Sequence, residues 1–169
     1  MSTDARDIYV TALQNTHAME LQALQIMERQ VERLEKYPDM EAALRKHIEE
    51  THTQRDRLEK ALGGLAAGPS TIKEGVLGFV GNMMALGHTP AQDEILKNAF
   101  ANQAFENFEI AAYRSLLVLA EAAGRTADTS AFEQSLGEEE RMAQKVADLV
   151  QPVTKTYLSL TLSGQKADR

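Results

Sequence analysis

Apolar residues recur along this chain every three or four positions, in long runs separated by turn signals. Tyr9, Leu13, Thr16, Glu20, Leu24, Met27, Val31 and Leu34 fall at helical spacing. They predict a helix A that is capped by Thr3 or Asp4 and ends near Lys36. Pro38-Asp39 breaks the run, and Asp39 is the expected cap of a helix B from about Met40 to Leu65. Met40, Leu44, Ile48, Thr51, Leu58, Leu62 and Leu65 share its apolar face, and Gly63-Gly64 and Gly68-Pro69 end it. In residues 70–88, Gly75, Gly78 and Gly81 lie three apart beside Val80, Met83, Met84 and Leu86, which reads as one or two short helices. Thr89-Pro90 restarts the pattern, with Thr89 as cap and Pro90 first in helix C. Ile95, Ala99, Asn102, Tyr113, Leu117 and Ala120 form the stripe of helix C, which Gly124 stops after about Ala123. Ser130-Ala131-Phe132-Glu133 fits a capping box. Helix D then runs to about Val150, with Pro152 just past it and a short helix expected at 153–162.

The helices so read are about 30–50 Å long. Short A–B and C–D links make antiparallel hairpins. The B–C connection is long enough to cross the bundle from end to end, so the expected fold is an all-α, antiparallel four-helix bundle with one long crossover containing short helices. Residues 1–162 are expected to form one domain, with 163–169 a flexible tail.

Composition sharpens this picture. The chain has 169 residues, 43% hydrophobic and 25% charged, with 5% aromatic, four prolines and no Trp, which is a helix-forming mixture. Cysteine is absent. That removes a disulfide scaffold and thiolate chemistry, and fits a reducing, cytoplasmic setting. The charged start, Met1-Ser2-Thr3-Asp4-Ala5-Arg6-Asp7, is unlike a secretory signal. No uninterrupted apolar run is long enough to span a membrane. The net charge of −7 speaks against a general nucleic-acid binder.

The informative residues are polar ones inside apolar stripes. On helix A this is Glu20, within about 20° of Leu13 and about 40° of Leu24 on the helical wheel, with His17 one turn earlier. On helix C, Glu106 and Glu109 both fall in the stripe. On helix D it is Glu139, flanked by Phe132, Leu136, Ala143, Val146 and Val150, with Glu138 and Glu140 towards the sides. Helix B carries a literal Glu-x-x-His, Glu49 to His52, but Glu49 points away from the stripe. Glu50, with Gln54 or His47 one turn away, is the plausible contribution. A carboxylate out of water costs several kcal/mol unless it is paired, protonated or bound to metal. Carboxylates converging inside a four-helix bundle are the pattern of a di-iron or di-manganese centre, and hard oxygen ligands suit Fe, Mn or Zn. The competing reading is a metal-free polar core, with these glutamates hydrogen-bonded to His17, Gln54 and Tyr113.

Leu13-x-x-x-His17-x-x-Glu20-x-Gln22, His47-Ile48-Glu49-Glu50-Thr51-x-x-Gln54-x-x-Arg57-Leu58-Glu59, Glu106-x-x-Glu109-Ile110-Ala111-Ala112-Tyr113 and Glu138-Glu139-Glu140 together resemble the YciE/YciF-like stress-protein family of the ferritin-like superfamily. The match spans roughly residues 5–150. The helix C and D pattern also resembles rubrerythrin. The resemblance implies a ferritin-like bundle, a homodimer, and a role in bacterial stress responses. It implies as metal ligands Glu20, Glu50, Glu106, Glu109 and Glu139, holding two divalent ions, with Gln54, His47 and His17 as lesser candidates. Thr53 and Met142 stand where rubrerythrin-like helices place His, so no histidine falls clearly among the ligands. The leading expectation is a di-metal protein acting on O₂ or H₂O₂. The alternative is a non-catalytic dimeric structural or interaction protein. A DNA-protecting mini-ferritin cage fits the length but not the acidity.

Overall fold

A computed structural model describes residues 4–65 and 93–167. Four α-helices make up most of these residues: α1 (Ala5–Val31), α2 (Pro38–Gly63), α3 (Glu94–Ala122) and α4 (Thr126–Leu162). They correspond to helices A to D, and the described residues contain no strand. The short helices expected at 70–88 and the Thr89-Pro90 restart lie outside the described residues.

The helix ends follow local chemistry, in places differently from the sequence expectation. Asp4 caps α1, its carboxylate accepting the Asp7 N–H at 2.9 Å. α1 stops at Val31, before the expected Lys36. The chain then turns, with Tyr37 N–H donating to the Leu34 carbonyl at 2.8 Å, and this buries both Leu34 and Tyr37. Pro38 does not break the run but opens α2. Its fixed φ suits a first helical position and its missing N–H costs nothing there. Asp39 is therefore not the cap; it lies in the first turn, where a carboxylate meets the positive end of the helix dipole.

Gly124, at φ 69°, ends α3. Its N–H donates to the Glu121 carbonyl at 3.0 Å and the Arg125 N–H reaches the Ala120 carbonyl at 2.8 Å, the paired bonds of a Schellman turn. α4 follows at once, so Ser130 lies inside the helix and the expected capping box does not form. The start is fixed instead by Asp128, which accepts the Tyr9 hydroxyl and the Arg125 guanidinium, each at 2.9 Å. Nor does α4 stop at Pro152. The exposed proline withholds one N–H, yet Leu149 and Val153 on either side are buried, and the apolar stripe carries the helix through to Leu162. The expected tail is anchored as far as Ala167, whose carbonyl accepts the Tyr37 hydroxyl at 2.6 Å.

α1 packs on α2 and α3, and α4 packs on α3 and α2. The Arg6 guanidinium donates to the Leu65 carbonyl at 3.1 Å, joining the start of α1 to the end of α2. An Arg33–Glu94 ion pair at 2.9 Å joins the end of α1 to the start of α3. Leu65 and Asp93 therefore lie at opposite ends of the bundle. The helices at opposite corners, α1 with α4 and α2 with α3, run parallel, as a one-crossover bundle requires. Tyr9, Leu13, Leu44, Leu58, Leu116 and Phe132 are fully buried between the helices, each contributing about 1.5–3 kcal/mol of hydrophobic stabilisation. Among the described residues no helix is long and apolar enough to cross a membrane.

Replacing Pro152 with Ala returns an N–H to the Asp148 carbonyl and removes the ring's clash with that turn. Pro152→Ala should raise the urea midpoint, with a gain of about 1–3 kcal/mol. A lower midpoint would mean that the ring itself makes a contact the helix needs.

Candidate metal centre

Four side chains from three helices meet at mid-bundle. α2 supplies His47, α3 supplies Glu106 and Glu109, and α4 supplies Glu139. All four are buried, and one ligand atom from each lies within 4.8 Å of those of the others. His47 Nε2 is 3.4 Å from Glu106 Oε2 and 3.3 Å from Glu139 Oε2. These are ion-pair separations, but none of the three atoms makes an aligned hydrogen bond. Both oxygens of Glu109 are also without a partner. Two donors about 2.0–2.2 Å from one ion, at near-tetrahedral angles, stand about this far apart. The donor set therefore fits a divalent metal ion, and its unpartnered atoms are the ones such an ion would bind.

The surrounding residues fix this arrangement. Glu50 is not in the group. It projects to the half-buried edge of α2, where Oε2 lies 3.3 Å from His47 Nδ1 and Oε1 lies 3.0 Å from Lys46. A carboxylate on the far nitrogen of a histidine orients the ring and leaves the other nitrogen for a metal. Gln54 is fully buried, and its amide nitrogen donates to Glu139 Oε1, holding that carboxylate while its own Oε1 has no partner. Glu20, from α1, is fully buried beside the group, with Oε1 accepting the Tyr113 hydroxyl at 2.5 Å. His17 points elsewhere, to Glu59 at 3.0 Å across the α1–α2 seam. His47, rather than Glu50, is thus the α2 side chain that faces the carboxylates.

One acid escaped the sequence reading. Glu138, placed towards the side of helix D, is buried and held by both terminal nitrogens of Arg57, at 2.6 and 3.0 Å. The signal lay in Arg57 of α2, which could meet an acid on a neighbouring helix only if that acid turned inward. This pair is complete in itself and leaves no free ligand.

The electrostatics follow from crowding acids away from water. Burial, followed by the nearby Glu139 charge, pushes Glu20 and Glu109 well above the usual carboxylate range. Burial raises Glu106 to about 7, against the opposing pull of His47. For His47, burial favours the neutral ring, but Glu106, Glu139 and Glu50 reverse that and hold it well above the usual imidazole value. Glu50, bonded to His47 and helped by Lys46, falls to about 2 and stays ionised. Without a cation the centre holds protons, and binding one must release them.

That has a consequence for stability. Groups raised in the folded state bind more protons folded than unfolded, so their contribution is greatest at low pH and is lost as pH rises. For Glu106 the window runs from about 4.5 to about 7. Metal-free protein, held in chelator, should have a higher urea midpoint at pH 5.5 than at pH 8, by a few kcal/mol at most. Glu109→Gln should flatten this slope. An unchanged midpoint across the window would show that the glutamates are not strained by their burial.

The model of the family described as a domain of unknown function (DUF892) matches residues 4–159. Among solved structures, a protein of Xanthomonas campestris pv. campestris aligns with a TM-score of 0.78 at 27% identity, covering 94% of this chain and 99% of its own. The E. coli stress protein YciF aligns with a TM-score of 0.72 at 23% identity, covering 89% of this chain and 96% of its own. YcfI of Rhodopseudomonas palustris, described as a candidate structural protein, aligns at 0.69 and 22% identity, covering 86% and 94%. The last two likenesses carry the fold alone: an all-α four-helix bundle.

Proposed function

The chain belongs to the DUF892 family of YciE/YciF-like proteins, and on that premise we propose that it is a stress-associated metal protein whose buried centre binds iron and handles O₂ or H₂O₂. The observation that carries this reading is the convergence of four buried side chains whose facing atoms lack hydrogen-bond partners. A polar core selected for packing would satisfy those atoms. Two ions, of iron in preference to Mn or Zn, suit the number of carboxylates. Bound iron would supply the electrons that reduce O₂ or peroxide.

The protein's own residues prepare that chemistry. Glu50 turns the His47 ring so that Nε2 faces Glu106 and Glu139. Gln54 fixes Glu139. The apolar shell, with Tyr113 and Phe132 fully buried, excludes bulk water and so strengthens every charge interaction within. The raised glutamates hold protons in the metal-free state and give them up to a cation.

A second reading, a non-catalytic dimeric scaffold with a metal-free core, draws on α3. Phe100, Phe108 and Val118 are exposed on its outer face, which suits a second copy of the chain. The two readings part on one variant. Untagged protein from iron-supplemented cells, assayed by mass spectrometry for metal, should carry one to two ions per chain. Glu109→Ala and His47→Ala should each lose them while the helical circular dichroism stays intact. Under the scaffold reading metal is absent throughout, and Glu109→Ala is neutral or stabilising.

A further inference from the structure

Three buried side chains share one arrangement: a neighbour holds one polar atom and leaves the other without a partner. The Gln54 amide holds Glu139 Oε1 and leaves Oε2. Glu50 holds His47 Nδ1 and leaves Nε2. The third is Glu20 on α1, fully buried, where the Tyr113 hydroxyl donates to Oε1 at 2.5 Å and leaves Oε2. Outer partners of this kind orient a metal ligand and keep its free atom available to an ion. Glu20 nevertheless falls outside the four-residue group. Its neighbour in that group is Glu109. Tyr113, which holds Glu20, follows Glu109 by one helical turn on α3, and the Glu20 charge acts on Glu109. Both oxygens of Glu109 are free, so one can serve the four-residue group while the other serves an ion shared with Glu20.

The two positions are unequally furnished. The first has four ligands from three helices. The second, on the α1 side, has lost the ligands that the sequence suggested for it. Glu50 turns to Lys46 and to the His47 ring, and His17 turns to Glu59. A divalent transition-metal ion takes about four to six ligands. One held by two carboxylates therefore keeps positions for molecules from solution. We propose that the centre is unequal: His47, Glu106, Glu109 and Glu139 enclose one ion, while Glu20, oriented by Tyr113, joins Glu109 to hold a second ion that stays open to a small ligand of the peroxide or azide class. This inference rests on the metal-centre reading above. It makes Tyr113 a positioning residue and assigns small-molecule binding to the α1 side of the centre.

The test is an anaerobic titration of chelator-stripped protein with Co(II), followed by calorimetry and by the visible absorption of the ion, with circular dichroism confirming the fold of each variant. The wild type should show two steps, the second about tenfold or more weaker than the first. Glu20→Gln should lose the second step and keep the first within about twofold. Tyr113→Phe removes only the hydroxyl. It should leave the first step within about twofold and weaken the second about tenfold, the scale of one hydrogen bond to a charged group. Added azide should shift the absorption bands of wild type loaded with two equivalents. It should leave unchanged those of wild type at one equivalent and of loaded Glu20→Gln. A single ion per chain, two equal steps, a second step that survives Glu20→Gln or ignores Tyr113→Phe, or an azide shift at one equivalent would overturn the unequal centre while leaving the metal reading standing. No Co(II) bound at all would overturn both.

Discussion

The structure depends on a shortage of hydrogen-bond donors. Glu20, Glu106, Glu109 and Glu139 bring eight carboxylate oxygens into the bundle interior, and Glu20 Oε2, Glu106 Oε2, Glu139 Oε2 and both oxygens of Glu109 have no partner. A buried polar atom left unsatisfied costs about 1–3 kcal/mol, and more when it is charged. A chain that folds around such a site must relieve it, with protons or with a cation. The raised proton affinities of Glu20, Glu106 and Glu109 are the proton solution. The convergence of the same oxygens with His47 Nε2 is the geometry of the cation solution.

The chain's fixed cations are not spent on this problem. Arg57 holds Glu138 through both terminal nitrogens. Arg125 holds Asp128 at the mouth of the α3–α4 turn, Arg33 holds Glu94, and Lys46 holds Glu50. Each of these acids lies outside the central group. Among the described residues, His47 is the one basic side chain within ion-pair distance of the group's carboxylates. A core built only for stability would more simply replace such acids with apolar residues, because a buried ion pair rarely stabilises more than they do. Leaving the carboxylates without an arginine keeps their negative charge available to something exchangeable.

Much of this was legible in the sequence because a helix repeats every 3.6 residues and a buried stripe must be apolar. That logic gave the four helices, the antiparallel hairpins and the inward glutamates of helices A, C and D. It was weaker where local and tertiary forces compete. Pro38 and Pro152 read as breaks, yet one opens a helix and the other lies within one. Packing of Leu149 and Val153 outweighs the lost N–H in the second case. The Ser130 box was a sound local signal that lost to the Gly124 turn and to the Tyr9–Asp128–Arg125 contacts, which join residues far apart in the chain. On helix B the sequence pointed to Glu50, with Gln54 or His47 one turn away, but the folded chain turns His47 inward instead. Position on the helix decides the matter: His47 is buried and faces the centre, and Glu50, at the half-buried edge, turns to Lys46 and to the ring it supports.

Position along the helices removes the last fixed source of positive potential. A helix N-terminus can stabilise an anion, but the effect falls off within the first turn. Glu20 and Glu109 sit in the middle of helices spanning Ala5–Val31 and Glu94–Ala122, and Glu139 lies well inside Thr126–Leu162. Because neighbouring helices are antiparallel, their dipoles also oppose one another at mid-bundle. The carboxylates are thus out of reach of water, of arginine and of helix ends. What remains is a proton or a metal ion, and the balance between the two is set by the pH and by His47.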